Sequence, residues 1–307
     1  MSETPEPRSG SEAQETTWTV ARVLRWAGDD FQKRGLAHYR LESEILLCHI
    51  LGLDRVRLIV DRDRPLSENE LASYRAAIVR RRAGEPSAYI LGYREFFGVR
   101  FRVDSRVLIP RPDTEVLVET ALAKTKHRKL FGRALDLCTG SGCVGLSFAL
   151  QRPTWQITLS DLSQDALSVA RENAQQLGTL WGLRFASGDL YEAIGPSEKF
   201  ELITANPPYI PPRDIAELEI GVRDFEPRSA LDGGPDGLDF YPRLAQGARR
   251  HLVPQGVLAV EVGAGQAEEV EKTLLNAGLT SPERFADLAG HERVVLARAP
   301  ARPSSGN

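Results

Sequence analysis

From about Asp113 to Ala297, short apolar runs alternate with amphipathic stretches, and this alternation restricts the fold more than any other feature of the chain. Runs near Ala134 to Cys138, Gln156 to Asp161, Arg184, Glu201, Gly256 to Val262 and Arg293 to Ala297 read as strands. Segments near Val144 to Leu150, Gln164 to Leu177, Tyr241 to Leu252 and Ala267 to Ala277 read as helices. Parallel strands can be joined only through a long crossover, so regular strand and helix alternation predicts an α/β fold with a mostly parallel sheet and helices on both faces. Open sheets of this kind bind ligands at the carboxyl ends of their strands.

One strand end is chemically distinctive. The apolar run Phe200 to Ala205 leads into Asn206-Pro207-Pro208-Tyr209. Two prolines lack N–H donors and fix φ near −65°, so the carbonyls of this turn are not consumed by a helix. Asn206 adds a side-chain oxygen and Tyr209 a flat π face. The set suits a planar amino group on a trigonal carbon, with one N–H meeting Asn206, the other a proline carbonyl, and the ring stacking on the plane. A carboxamide and a nucleobase amine both fit. Pro-Pro-Tyr by itself would be no more than a strand stop.

The first strand of the alternating region ends in Asp136-Leu-Cys-Thr-Gly140-Ser-Gly142-Cys-Val-Gly145, which contains Gly-x-Gly-x-x-Gly. Alone, that string could hold a dinucleotide pyrophosphate at a helix N-terminus. Asp136, just before the turn, is poorly placed beside a pyrophosphate and suits a cationic ligand head. S-adenosylmethionine has a cationic amino group and sulfonium and no phosphate. Asp161, at the next strand end, could take both ribose hydroxyls, and Asp189, at the third, the adenine amine. Acids at three successive strand ends are more than ordinary turn chemistry requires.

Composition narrows the class. At 307 residues, 42% hydrophobic and 26% charged, the chain can bury a full core and suggests one large domain with a smaller one. A net charge of −3 supplies no global drive toward nucleic acid. Cys48, Cys138 and Cys143 are too few for a disulfide framework, and His38, His49, His127, His251 and His291 show no paired ligand spacing, so no metal site is expected and the protein reads as cytoplasmic. Residues 1–16 are polar and proline-bearing and read as a tail, as do 300–307; no 18-residue apolar run suggests a membrane span. Helical spacing over Thr19 to Lys33, Leu41 to Leu51 and Glu68 to Arg82, with Ser67 and Glu70 as a capping box, predicts a helical domain over 17–92. Phe96 to Val103 predicts one arm of a β-hairpin connector over 93–110, leading to the main domain at 111–299. Arg80-Arg81-Arg82 closes a helix, where positive charge suits the dipole.

Taken together, Tyr89-Ile-Leu-Gly-Tyr-Arg-Glu-Phe-Phe-Gly98, Leu108-Ile-Pro-Arg-Pro-Asp-Thr-Glu115, Asp136 to Gly142, Asn206-Pro-Pro-Tyr-Ile210, Phe225-Glu-Pro227 with Ala230-Leu231, and Glu261-Val-Gly263 with Gln266 resemble the HemK/PrmC class of protein-glutamine N5-methyltransferases. The resemblance covers about residues 17 to 298 and departs at Cys138, where glycine is common in the family. It implies a class I S-adenosylmethionine-dependent methyltransferase with a seven-stranded Rossmann-like sheet, a monomer acting on the glutamine of the Gly-Gly-Gln motif of class I peptide-chain release factors. Asp136, Cys138, Thr139, Gly140, Ser141, Gly142, Asp161, Asp189, Leu190 and Asn206 are then the expected cofactor contacts. Asn206, Pro207 and Tyr209 are the expected catalytic residues, with Pro208, Phe97 and Arg111 joining them around the substrate. The Arg111 to Glu115 string resembles the release-factor branch rather than the ribosomal-protein branch. An adenine N6-methyltransferase would use the same tetrapeptide, but about 90 residues follow Tyr209 and the sheet consumes them, leaving no base-recognition domain. A scaffold without catalysis, and last a dinucleotide oxidoreductase, complete the alternatives.

Overall fold

The computed structural model describes residues 17–126 and 130–301. The tails expected at 1–16 and 300–307 lie outside these residues apart from 300 and 301, and so does His127. The chain divides into two compact units between Leu91 and Gly92.

The first unit is helical, with helices Val20–Lys33, Tyr39–Leu51, Arg55–Val60, Glu68–Arg82 and Ser87–Leu91. Apolar faces at helical spacing meet in a core of Val20, Val23, Phe31, Leu46, Leu47, Tyr74 and Ile78. The expected capping box is present: Ser67 accepts from the Glu70 N–H, and the Glu70 carboxylate accepts from the Ser67 N–H at 2.8 Å. The basic turn is not free charge. Arg80 pairs with Glu85, Arg81 with Glu42 and Arg82 with Asp30, all within this unit.

The second unit opens with an antiparallel hairpin, β1 Tyr93–Phe96 and β2 Val99–Arg102. Its two-residue turn, Phe97-Gly98, has positive φ at both positions, 50° and 77°, the geometry that matches the twist of paired strands. Phe96 and Phe101 of the hairpin are buried in the core of this unit.

Seven further strands form one sheet: β3 Arg133–Leu137, β4 Gln156–Asp161, β5 Leu183–Ser187, β6 Phe200–Ala205, β7 Leu252–Glu261, β8 Thr280–Ala286 and β9 Glu292–Arg298. Their order is β5-β4-β3-β6-β7-β9-β8, parallel from β5 to β7 and antiparallel at β9 and β8. Alternate residues serve opposite faces. Leu135, Ile203, Leu258 and Val260 pack under the helices Phe240–His251 and Ala267–Asn276. Ala134, Leu202, Val257 and Leu159 pack under the helices Glu115–Lys124 and Cys143–Gln151.

The sequence reading places six of these strands and omits β8. That edge strand contains Pro282, has a left-handed Ser281 at φ 54° and is largely exposed, so it carries neither apolar alternation nor a turn signal. The helix Glu115–Lys124 was also not anticipated.

Candidate active site

The chain runs from β3 outward to β4 and β5, then returns to the other side of β3 as β6. This reversal of strand order leaves a crevice beyond the carboxyl ends of β3 and β6, the position where doubly wound sheets bind ligands. The glycine loop leaves β3 there, and Asn206-Pro-Pro-Tyr leaves β6 beside it.

The glycine loop is shaped by carboxylates. Asp136 is 2% exposed. Its Oδ2 accepts from the Thr139 hydroxyl at 2.6 Å and the Gly145 N–H at 3.1 Å, and its Oδ1 from the Thr204 hydroxyl at 2.7 Å. The sequence suggested a partner for a cationic head; in the fold these three bonds tie the loop to the following helix and to β6. Burial pushes the Asp136 carboxyl up to about 6, against those bonds. Helix Cys143–Gln151 approaches so closely that a Cβ at Gly145 would lie 3.0 Å from Asp136 Oδ2. Asp161 braces the loop from β4: it accepts from the Gly140 N–H and the Ser163 N–H, each at 2.9 Å. Burial raises its pKa.

A cavity of about 230 Å³ opens over this loop. Asp136, Cys138, Thr139, Gly140, Ser141, Asp161, Asp189, Leu190 and Asn206, all expected from the sequence to touch cofactor, are brought together in its lining. Gly142 does not; at φ 82° it caps the helix from behind. Arg106, Arg111 and Asp189 are lining charges already paired, with Asp104, Glu226 and Arg243 respectively. Among the described residues Asp161 has no ion pair, and the lining hydroxyls of Ser141 and Ser160 are buried without hydrogen-bond partners. A carboxylate without a counter-ion and two hydroxyls without partners suit a ligand rich in hydroxyl and amino groups and disfavour a phosphate. The two lining thiols are poor nucleophiles: burial and nearby carboxylates raise Cys138, and push Cys143 up to about 12.

The turn after β6 is held from behind. Gln266 Nε2 donates to the Tyr209 carbonyl at 3.1 Å and to the Gly237 carbonyl at 3.3 Å. The Ile210 N–H donates to the Leu231 carbonyl at 2.9 Å, and the Gly233 N–H to the Ile210 carbonyl at 3.0 Å. The loop Asp232 to Gly237 comes so near that a Cβ at Gly233 would sit 2.6 Å from Tyr209 Cα. Only glycine fits. Asn206 Nδ2 donates to the Thr114 hydroxyl at 3.2 Å, which leaves its Oδ1 available. The Tyr209 hydroxyl donates to Glu261 Oε1 at 3.4 Å, and burial, then Glu261, raises the phenol above its ordinary value.

A second cavity, about 350 Å³, is lined by Arg111, Asn206, Pro207 and Tyr209 with Leu108, Ile210, Leu218, Val222 and Ala230 among others. Leu108, Arg111, Asn206 and Ala230 border both cavities. Pro208 faces the first. Phe97 lines neither: its side chain packs on the core cluster and its N–H donates to Glu115 at 2.8 Å. Arg111 Nη2 meets Glu226 Oε1 at 2.5 Å, and Glu226 Oε2 accepts from the Ile109 N–H at 3.0 Å. This buried carboxylate joins Phe225-Glu-Pro227 to the strip that divides the cavities. Sequence reasoning missed Thr114 and Glu226 as site residues; only the quoted strings containing them hinted at either.

A doubly wound sheet with an acid-lined, phosphate-averse cavity at its switch point defines a class I methyltransferase fold. Residues 22–92 match the PrmC N-terminal domain and residues 112–219 the Methyltransferase small domain. The chain is 43% identical to a release factor glutamine methyltransferase of Geobacter sulfurreducens over 92% of this chain and 97% of that one. It is 45% identical to one of Bordetella pertussis over 83% and 93%. The chain therefore belongs to the release factor glutamine methyltransferase family. Among solved structures, the protein-(glutamine-N5) methyltransferase (release factor-specific) of Alicyclobacillus acidocaldarius is 30% identical, covering 65% of this chain and 99% of that one at a TM-score of 0.39. The hMettl16 catalytic domain in complex with the MAT2A 3'UTR hairpin 6 is 13% identical, with 80% and 87% covered at a TM-score of 0.51, and shares the fold alone.

Proposed function

We propose that this enzyme transfers a methyl group from S-adenosylmethionine to the side-chain amide nitrogen of the Gly-Gly-Gln glutamine in class I release factors. The observation that carries the reading is that two cavities, one suited to the donor and one to the acceptor, meet at Asn206. Asp161 would take the ribose hydroxyls, and the lining of the first cavity would hold the rest of the cofactor. When bound, S-adenosylmethionine supplies a methyl group on a positively charged sulfur that departs as a neutral thioether.

The protein's task lies with the acceptor. A carboxamide nitrogen is a weak nucleophile, because its lone pair is delocalised into the carbonyl. Asn206 Oδ1 accepts one amide N–H and the Pro207 carbonyl the other, while Tyr209 stacks on the amide plane. These contacts fix the direction of attack and stabilise the positive charge that grows on nitrogen as the bond to carbon forms. The surplus proton then leaves to water. Two glycines before the acceptor allow a loop tip to thread into a narrow cavity. We place the reaction in the cytoplasm; among the described residues no helix is long and apolar enough to cross a membrane.

The test is intact-mass and peptide mapping of release factor, a ribosomal protein and DNA after incubation with enzyme and S-adenosylmethionine. One methyl group on the Gly-Gly-Gln glutamine is expected. Methylation confined to the ribosomal protein or DNA overturns the substrate. Asn206→Ala is expected to lower turnover about 100-fold, the loss typical of one preorganised hydrogen-bonding group, with cofactor binding retained.

A further inference from the structure

The border between the two cavities carries a guanidinium. Leu108, Arg111, Asn206 and Ala230 line both, so the methyl group of the proposed reaction crosses beside them. Arg111 brings N–H donors to this border and a permanent positive charge with them. That charge opposes methyl transfer on two counts. The donor carries a sulfonium and an ammonium, and positive charge grows on the acceptor nitrogen as the bond to carbon forms.

The charge is compensated from inside the protein. The Glu226 side chain is 1% exposed, against 34% for Arg111. Its Oε1 accepts from Arg111 Nη2 at 2.5 Å and its Oε2 from the Ile109 N–H at 3.0 Å, so both oxygens are turned to the strip that divides the cavities. Burial works against the ionised carboxyl, and Arg111, then the Ile109 N–H, oppose it. An ion pair taken out of water is costly, and removal of one partner leaves an uncompensated charge. A wall needs no such pair: Leu108 and Ala230 border the same two cavities without charge.

The rest of the donor cavity follows the same rule. Arg106, the other cationic side chain in its lining, is gripped by Asp104 through Nε at 2.8 Å and Nη2 at 2.7 Å. Asp161, in the same lining, has no ion pair among the described residues. Cations that face the donor are neutralised while a carboxylate is left unneutralised, which is the field that suits a ligand with two cationic centres.

We propose that Glu226 is a positioning residue that acts through Arg111: it holds and neutralises the guanidinium at the border, so that the site prefers S-adenosylmethionine, with its sulfonium, over S-adenosylhomocysteine, whose sulfur is neutral. This inference rests on the donor assigned above. Substrate and product differ at the sulfur by one methyl group and one charge, so an unneutralised cation at the border penalises the substrate alone.

The test is calorimetric titration of the full-length enzyme with S-adenosylmethionine and with S-adenosylhomocysteine, giving the ratio of the two dissociation constants. Wild type, Glu226→Gln, Arg111→Met and the double variant are compared. Glu226→Gln leaves the guanidinium unneutralised and is expected to weaken S-adenosylmethionine about tenfold relative to S-adenosylhomocysteine, the effect of a unit charge across a partly solvated site. Added salt should shrink that shift. The double variant, neutral again, should return the ratio to within about threefold of wild type, whatever both affinities have lost. A wall without an electrostatic task predicts equal losses for the two ligands, no salt dependence and a double variant no better than Glu226→Gln. Any of these results overturns the proposal. If wild type binds neither ligand, the donor assignment itself fails and the inference with it. Should Glu226→Gln not fold, Arg111→Met decides at alkaline pH: the carboxylate left alone should move the ratio toward S-adenosylmethionine, and an unmoved ratio overturns the proposal.

Discussion

Two loops stand at the carboxyl ends of the neighbouring strands β3 and β6, and they are held in opposite ways. The glycine loop is fixed largely by groups near it in the chain, Asp136, Thr139 and Gly145 within ten residues and Asp161 on the next strand, with Asn173 and Thr204 as its more distant ties. The Asn-Pro-Pro-Tyr turn is fixed by groups drawn from far along it: Thr114, Leu231, Gly233, Gly237, Glu261 and Gln266. The first arrangement makes a pocket that folds around its own hydrogen bonds. The second makes the proposed acceptor site depend on assembly of the whole second unit, so that Asn206 and the Pro207 carbonyl are set by packing rather than by local turn geometry alone.

The sharpest break in this contrast is a methyl group placed behind each loop. In Gly237→Ala the new Cβ would fall 2.2 Å from the Tyr209 carbonyl oxygen at a φ of 73°. Backbone cannot yield as a flexible side chain does, so the expected cost is at least ~3 kcal/mol of stability, with methyl transfer lost. Gly140→Ala has φ 54° and open space around it. Only the left-handed backbone is penalised there, about 1 kcal/mol. Urea unfolding of the two variants measures the difference; equal losses would mean that the turn is no more dependent on remote packing than the loop.

Next in size is the division of labour. Removing the charge of Asp161 in Asp161→Asn is expected to weaken S-adenosylmethionine binding by roughly 10- to 100-fold, the worth of hydrogen bonds to a charged group, with kcat nearly kept. Asn206→Ala should do the reverse. Calorimetric titration beside turnover would expose any mixing of the two roles.

A smaller effect separates the two buried acids by pH. Glu261 is raised from 4.5 to about 7 in the folded protein. Between those values the folded state holds a proton that the unfolded chain has released, so this group's contribution to stability falls as pH rises through the window. Glu261→Gln removes that slope. Its melting temperature relative to wild type should therefore climb from pH 4.5 to 7. A constant difference would show that Glu261 titrates normally. Asp136, raised from 3.8 to about 6, gives the same sign in a lower window.

The smallest expected change is at Cys138, whose φ of 54° places a side-chain-bearing residue in left-handed backbone. Cys138→Gly relieves this strain but loosens the unfolded chain, for a net gain of up to about 1 kcal/mol. A lower melting temperature would mean that thiol packing outweighs the strain.

The sheet was legible because parallel strands buried on both faces are unbroken apolar runs, as in Leu202 to Ala205 and Val257 to Val260. The loop at Asp136 to Gly145 was legible because its partners share one short string. β8 was not, since an exposed edge strand with proline has no apolar signature. Nor was Phe97 placed: its family string suggested a pocket wall, but the tight hairpin turn directs it onto the core.

The sequence by itself determined a doubly wound α/β domain following a helical one along the chain, and the two strand ends that carry the glycine loop and the Asn-Pro-Pro-Tyr turn. These rest on periodicity and on turn residues whose backbone preferences act over a few positions. Only the tertiary structure decided that Asp136 joins its loop to Thr204 of β6, that Arg111 is committed to Glu226, that Thr114 meets Asn206 and that Glu261 meets Tyr209. Hydrogen-bond partners separated by 52 to 115 residues are chosen by which elements lie side by side, and that order is a property of the folded sheet.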